Sequence, residues 1–382
     1  MASTTYPADG ARGPLALGRT LREGVRRVVE LAATPLVPAD YLDVFSPLRA
    51  GADLRGRIEE IHPETADAAT IVIRPGADWA GHIPGQYLRI GIDVDGVRLW
   101  RAYSLTHGPR SDGRISITVK AVPEGKVSNH LVHRAQVGTL VHLEQAAGEF
   151  VLPTPTAPEK TKLLFVTAGS GVTPVIGMLR NLFPVTDSGV VRLPRSEPYD
   201  ITVVHVAPSE PHSIFIRNLR ELDQAGMINL VARYDDEHGV LDVADLEDLV
   251  PDLQERTTFA CGPTGLLDAL GAHHEERGMR LLTEQFRIAT VAVGEGGTVN
   301  FTKNGTTVEA DGARPILDEA EEAGVLMPSG CRMGICYQCV LPMREGSVRD
   351  LRTGEITTAV EGDGVKIQTC INAAAGSCSI DH

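Results

Sequence analysis

Basic residues are scarce in this chain: 36 Lys and Arg stand against 50 Asp and Glu, for a formal net charge of −14. Nucleic acid is therefore not an expected partner, because phosphate-binding surfaces need clustered Lys and Arg. Long apolar runs are missing as well. No stretch approaches the roughly 20 apolar residues that cross a bilayer, so the chain reads as not transmembrane. The opening segment MASTTYPADGARGPLALGRT holds no apolar core of signal-peptide length. The expected location is cytoplasmic. Cysteine is sparse too: six in 382 residues are too few for a secreted disulfide scaffold. What is present, 42% hydrophobic and 23% charged residues, is ordinary for a soluble globular protein. At roughly 150 residues per domain the length accommodates two or three domains.

Four segments follow along the chain. Residues 1–50 read as an N-terminal helical extension. In TLREGVRRVVELAAT the residues Leu21, Val25, Val28, Val29 and Leu31 approximate a helical stripe, with Arg22, Arg26 and Arg27 on the polar side. That helix either packs on the main body or docks on a membrane surface or partner. Residues 51–155 are short alternating runs separated by Gly, Pro and Asp, the pattern of an antiparallel barrel or sandwich. The linker PTPTAPEKT closes this unit. Residues 160–288 alternate strand and helix patterns, which argues for a parallel sheet with helices on its faces. Residues 295–382 open with two alternating runs around Asn304–Gly305, a hairpin signal, followed by a short helix in PILDEAEEAGV.

Three of the cysteines crowd into PSGCRMGICYQCVLPMREG. Cys331, Cys336 and Cys339 are spaced C-x4-C-x2-C, and Cys370 follows after thirty intervening residues. This is the spacing of plant-type [2Fe–2S] sites. Thiolates suit iron and its bridging sulfides, and Gly330 and Gly334 let the backbone wrap closely. Zinc would favour a second paired knuckle, but only one C-x2-C occurs. Cys378 lies outside the pattern and reads as a packing residue.

Two further segments point to ligands. In RAYSLT, Arg101 can pair with a phosphate, Tyr103 can lie against a flat ring, and Ser104 can hydrogen-bond at its edge. In GKVSNHL, Gly125 to Ser128 offers backbone N–H groups at a helix start, which suits a pyrophosphate. Taken singly, Arg101 reads rather as a surface ion pair and Tyr103 as a core aromatic; both motifs in order, inside a β-rich unit, shift the balance to a ligand. Further on, Gly169-Ser170-Gly171-Val172-Thr173-Pro174 joins a strand to a helix, and so does Ala260-Cys261-Gly262-Pro263. Ligands of open parallel sheets bind at strand carboxyl ends, so both loops are expected at one crevice.

In this order, RAYS, GKVS, AGSGVTP, ACGP, EQF and the four cysteines resemble the ferredoxin–NADP reductase superfamily with a fused C-terminal plant-type ferredoxin domain. The resemblance covers roughly residues 50–382. It implies a multidomain fold: an antiparallel β-barrel for FAD over 51–155, an α/β parallel-sheet nucleotide domain over 160–288, and an α+β β-grasp ferredoxin domain over 295–382. Arg101, Tyr103, Ser104, Gly125, Lys126, Val127 and Ser128 would then hold FAD. Gly169, Gly171, Thr173, Pro174, Gly262 and Pro263 would hold NADPH or NADH, and Phe286 would close on the flavin. Ser104, Cys261 and Glu284 would be the catalytic residues, and Cys331, Cys336, Cys339 and Cys370 the iron ligands.

The implied activity is that of an NAD(P)H-dependent oxidoreductase feeding an external electron acceptor protein. That acceptor is a desaturase, an oxygenase or a cytochrome P450, with a possible peripheral contact at a membrane. PLVPADYLDVFSPLRAG after the N-terminal helix is similar to actinobacterial acyl-CoA desaturase reductases. A non-enzymatic electron-transfer subunit of another dehydrogenase is the alternative, but the long Cys339–Cys370 interval counts against it. For a 2′-phosphate, Ser209 and Arg233 are the available partners.

Overall fold

The structure, a computed structural model, describes residues 45–382 apart from 95–96, 124, 155–159, 184–197, 287–292, 331 and 335–336. The helix expected at 20–34 lies outside the described residues, as do Cys331 and Cys336.

The first sheet contains β1 (Arg55–Thr65), β2 (Ala68–Pro75), β3 (Tyr87–Val94), β4 (Val97–Ser104), β5 (Ile115–Lys120) and β6 (Leu140–Leu143). Its order is β4-β3-β6-β1-β2-β5, with antiparallel pairings. A bridge from Leu105 to Ile117 joins the two ends and closes a barrel, which removes exposed strand edges. Period-two alternation sends Ile115, Ile117 and Val119 of β5 inward to meet Leu88, Ile90 and Ile92 of β3. Helix α1 (Lys126–His133) adds Val127 and Leu131 to that core, so its first turn is fixed against the barrel.

The second sheet is β11-β10-β7-β8-β9, all parallel. Its strands are β7 (Thr161–Ala168), β8 (Tyr199–Ala207), β9 (Asn229–Tyr234), β10 (Thr257–Cys261) and β11 (Leu281–Glu284). Both faces are buried, as an all-parallel sheet requires. Leu163 and Phe165 share one core with α2 (Val172–Leu182) and α3 (Ile216–Gln224). Leu164 and Val166 face the other, with α4 (Thr264–Arg277).

The third sheet pairs β12 (Gly297–Phe301) with β13 (Thr306–Ala310) as a hairpin, and Gly305 takes the left-handed φ of +67° its turn needs. β14 (Val340–Asp350), β15 (Ile356–Ala359), β16 (Lys366–Gln368) and β17 (Asn372–Ile380) complete it. β12 and β17 run parallel and the other pairings are antiparallel. Helix α5 (Ile316–Glu322) packs Ile316, Leu317 and Ala320 on this mixed sheet. The antiparallel barrel, the parallel-sheet domain and the α+β ferredoxin-like domain expected from the sequence are thus all present.

Candidate electron-transfer site

The strand ends of the parallel sheet meet as their topology demands. Gly169–Gly171 forms a short 3-10 turn between β7 and α2. A Cβ on Gly171 would lie 1.9 Å from the Cys261 carbonyl oxygen, so only glycine lets the two loops touch. Gly262 packs against Ala168 across the same junction. Thr173 donates its hydroxyl to the Ser170 carbonyl at 2.9 Å and thereby tightens the turn. Pro174 sits buried in the first turn of α2, where a missing N–H removes no helix bond. Pro263 caps α4 with extended backbone.

Two strands from different domains bring acid and hydroxyl together at this junction. Ser104, the last residue of β4, donates to Glu284 Oε2 at 3.4 Å. Glu284 ends β11, in register with Cys261 at the end of β10. Burial pushes the Glu284 carboxyl up to about 8, and the Ser104 hydroxyl offsets this only in part. Glu284 is therefore a protonated acid at neutral pH. Burial, followed by the charge of Glu284, pushes the Cys261 thiol well up, so it stays neutral. Tyr103 packs on the barrel core, and burial pushes its phenol up. Phe286 lies 43% exposed, two residues beyond Glu284.

The cations assigned to the flavin phosphates face the third domain. Arg101 Nη1 donates to the Trp100 carbonyl at 2.8 Å and to Glu321 Oε2 at 3.3 Å. Lys126 Nζ lies 3.3 Å from Glu322 Oε1. Ser128 is engaged locally, donating to the Gly125 carbonyl and accepting from Val122 N–H, each at 3.3 Å. Val127 points into the barrel core, which leaves its backbone as the part open to a ligand. The first amide groups of a helix lack intrahelical partners. The α1 start, with Lys126 as its first residue, therefore suits an anion such as a diphosphate.

The cysteine loop is strongly curled. Arg332 (φ 61°), Gly334 (φ 74°) and Tyr337 (φ 59°) all adopt left-handed backbone, rare for the two non-glycines. Cys339 and Cys370 are buried with sulfurs 3.1 Å apart. That separation exceeds a disulfide bond of about 2.05 Å, yet both sulfurs can reach one metal ion. The hydrogen bond with Cys370 brings the Cys339 thiol below its ordinary range, the direction that favours a thiolate. Thr369 donates through N–H and hydroxyl to the Cys339 carbonyl at 3.2 and 3.1 Å. A thiol pair held by a loop of this shape fits the iron–sulfur cluster. Cys378 sits mid-strand in β17, paired with Val299 and Gly346, and burial pushes its thiol up to about 11. It packs the core as a neutral side chain.

Ser209 and Arg233 come to the carboxyl ends of the adjacent strands β8 and β9. Arg233 donates to the His238 carbonyl at 3.3 Å, and Ser209 bonds His212 Nδ1 at 2.7 Å.

One buried cation escapes the motif reading. Arg89 bonds Glu144 at 2.6 Å and Ser329 at 2.6 Å, and stacks 5.2 Å over Trp100. Its signal is a charge inside the otherwise apolar run YLRIG, where an unpaired Arg does not stay buried.

Comparison with known proteins agrees with this layout. Residues 59–152 match the oxidoreductase FAD-binding domain, and residues 300–374 match the 2Fe-2S iron-sulfur cluster binding domain. The chain is 42% identical over 366 residues to an NADPH oxidoreductase of Mycobacterium tuberculosis, covering 94% of this chain and 92% of that one. It is 29% identical over 322 residues to the glycine betaine monooxygenase reductase subunit of Chromohalobacter salexigens, covering 75% and 84%. Among solved structures, phthalate dioxygenase reductase shares the fold with a TM-score of 0.59 at 19% identity, covering 86% of this chain and 97% of that one. The chain belongs to the ferredoxin–NADP reductase superfamily, in the branch that carries a C-terminal [2Fe–2S] ferredoxin domain.

Proposed function

We propose that this reductase draws on NADPH and delivers single electrons to a fatty acyl-CoA desaturase, with Ser104, Cys261 and Glu284 at the hydride-transfer centre. The observation that carries the reading of the centre is the meeting of Ser104 from the barrel with Glu284 and Cys261 from the parallel sheet in one buried crevice. When bound, FAD and the cluster convert a two-electron hydride into single electrons.

The chain's own residues supply alignment. Gly171 and Gly262 shape the nucleotide turn at the mouth of the crevice. Cys261 offers a small neutral floor beside it. Ser104 orients Glu284, whose buried carboxyl stays neutral at neutral pH and so can donate a hydrogen bond within the crevice without placing a charge there. Arg101 and Lys126, with the first turn of α1, provide the counter-charge for the FAD diphosphate. Cys331, Cys336, Cys339 and Cys370 provide the thiolates, and Arg233 with Ser209 the partners of a 2′-phosphate.

Support for the desaturase comes from PLVPADYLDVFSPLRAG, which resembles the same stretch of actinobacterial acyl-CoA desaturase reductases. The name of the relative from Mycobacterium tuberculosis supports NADPH. The second reading is an oxygenase acceptor, favoured by relatives named as monooxygenase reductase components.

Reconstitution with a desaturase and with an oxygenase, scoring NADPH-dependent product, decides between them. Turnover by the oxygenase alone would overturn the desaturase assignment. Cys339→Ser tests the order of carriers: it should abolish reduction of a one-electron protein acceptor and spare NADPH-to-ferricyanide turnover.

A further inference from the structure

Helix α5 presents a row of carboxylates, two of which are buried, Glu319 to 3% and Glu321 to 4% exposure. Glu321 Oε1 accepts from Arg332 Nη2, and Glu321 Oε2 accepts from Arg101 Nη1 at 3.3 Å. The chain of charges continues outward from Arg332 to Asp318 at 2.6 Å. Beside it, Glu322 faces Lys126 at 3.3 Å. The two guanidinium groups belong to different domains. Arg101 lies on β4, the strand that ends in Ser104, and Arg332 directly follows Cys331 in the curled cysteine loop. A buried carboxylate is costly unless each oxygen is paired. Glu321 is satisfied only when the cysteine loop and the flavin strand both stand beside α5.

We propose that Glu321 is a positioning residue that clamps the [2Fe–2S] domain to the flavin strand and so sets the geometry of electron transfer between them. This rests on the reading of the chain as a flavin and iron–sulfur reductase. Glutamine in its place keeps the shape but turns one acceptor oxygen into an NH2 donor facing a guanidinium, which breaks one of the two links. The exit path then loosens while Ser104, Cys261 and Glu284, which make no contact with Glu321, keep their arrangement, and Arg101 keeps its positive charge toward the flavin.

The test uses the full chain loaded with FAD and cluster, as wild type, Glu321→Gln and Asp318→Asn. NADPH-to-ferricyanide turnover reports the flavin, and cytochrome c reduction reports the cluster exit. Hydrogen exchange of segments 97–104 and 316–322 reports the clamp itself. In Glu321→Gln, ferricyanide turnover should stay within roughly twofold. Cytochrome c reduction should fall about tenfold, and exchange of both segments should quicken. Asp318 is 38% exposed, so its substitution leaves the fold intact. Asp318→Asn should show the same pattern with a smaller loss, and it carries the test if Glu321→Gln does not load its cofactors.

Unchanged cytochrome c reduction with unchanged exchange overturns the clamp. Equal loss of both activities together with loss of FAD also overturns it, since the residue would then act in cofactor retention. If Cys339→Ser leaves cytochrome c reduction intact, the cluster is not the exit, and the underlying reading falls together with the clamp.

Discussion

Glu284→Gln tests the electrostatics of the crevice most directly. The folded chain keeps this carboxyl protonated because burial lifts it from 4.5 to about 8, with only a hydroxyl of Ser104 to offset the loss of water. The unfolded chain releases that proton near its ordinary value. Between those two pH values the folded state therefore binds one more proton, and stability falls as pH rises. The contribution is fully present below 4.5 and is lost as pH passes about 8. A displacement of this size corresponds to ~5 kcal/mol over the window. With the residue 8% exposed, solvent screening takes little from it. Glutamine keeps the hydrogen bond to Ser104 and has no proton to lose. Urea unfolding of the cofactor-free chain from pH 5 to pH 9 should thus show wild type losing ~4 kcal/mol relative to Glu284→Gln as pH rises. A difference profile flat to within ~1 kcal/mol would refute the reasoning, because it would mean that the carboxyl ionises as readily in the fold as in water.

Two other substitutions separate roles that neighbouring residues share. Cys378→Ala should cost ~1–2 kcal/mol of stability from a small cavity while iron content and visible absorption stay at wild-type levels; loss of iron would make Cys378 a ligand. Arg233→Ala should lower kcat/KM for NADPH about tenfold more than for NADH, the worth of a charge-assisted hydrogen bond to a phosphate. Equal losses with the two nucleotides would remove Arg233 from the 2′-phosphate.

Local pattern made the three sheets legible. Ile115, Ile117 and Val119 alternate because one face of β5 is core, and that alternation needs no knowledge of the rest of the chain. The junction of Gly171 with Cys261 was also within reach, because strand carboxyl ends in a parallel sheet converge by topology. Partners across domains were not. Arg101 reads from sequence as either a phosphate ligand or a surface ion pair, and in the structure it meets a carboxylate 220 positions away that is nearly fully buried. No periodicity encodes such a pairing, since it depends on how the third domain settles on the first. Glu321 was hidden for the same reason. In LDEAEE it reads as one of four acids on a solvated helix, and only docking turns its side chain inward.

That docking changes what the acidity of the third domain means for the acceptor. Residues 295–382 contain thirteen Asp and Glu against seven Lys and Arg, a difference of six negative charges (13 − 7). Much of this acid is engaged within the chain. Asp318, Glu321 and Glu322 hold Arg332, Arg101 and Lys126. Glu295, Asp350 and Asp381 pair with Arg349, Arg352 and Arg344. Among the described residues, Glu309, Glu345, Glu355, Glu361 and Asp363 enter no such ion pair and are exposed, so they are the charges a basic acceptor surface can feel. Interactions between exposed charges are screened over ~8–10 Å at physiological salt, whereas a pair as buried as Glu321 with Arg332 is screened far less. Raising salt should therefore raise KM for the protein acceptor and leave the flavin-to-cluster rate nearly unchanged. Neutralising Glu309, Glu345, Glu355, Glu361 and Asp363 together should flatten the salt dependence of KM without touching ferricyanide turnover. Salt-independent reduction of the acceptor would show that docking relies on apolar contacts instead. The exposed Tyr337 of the cysteine loop, at 68%, would then be the first residue to replace.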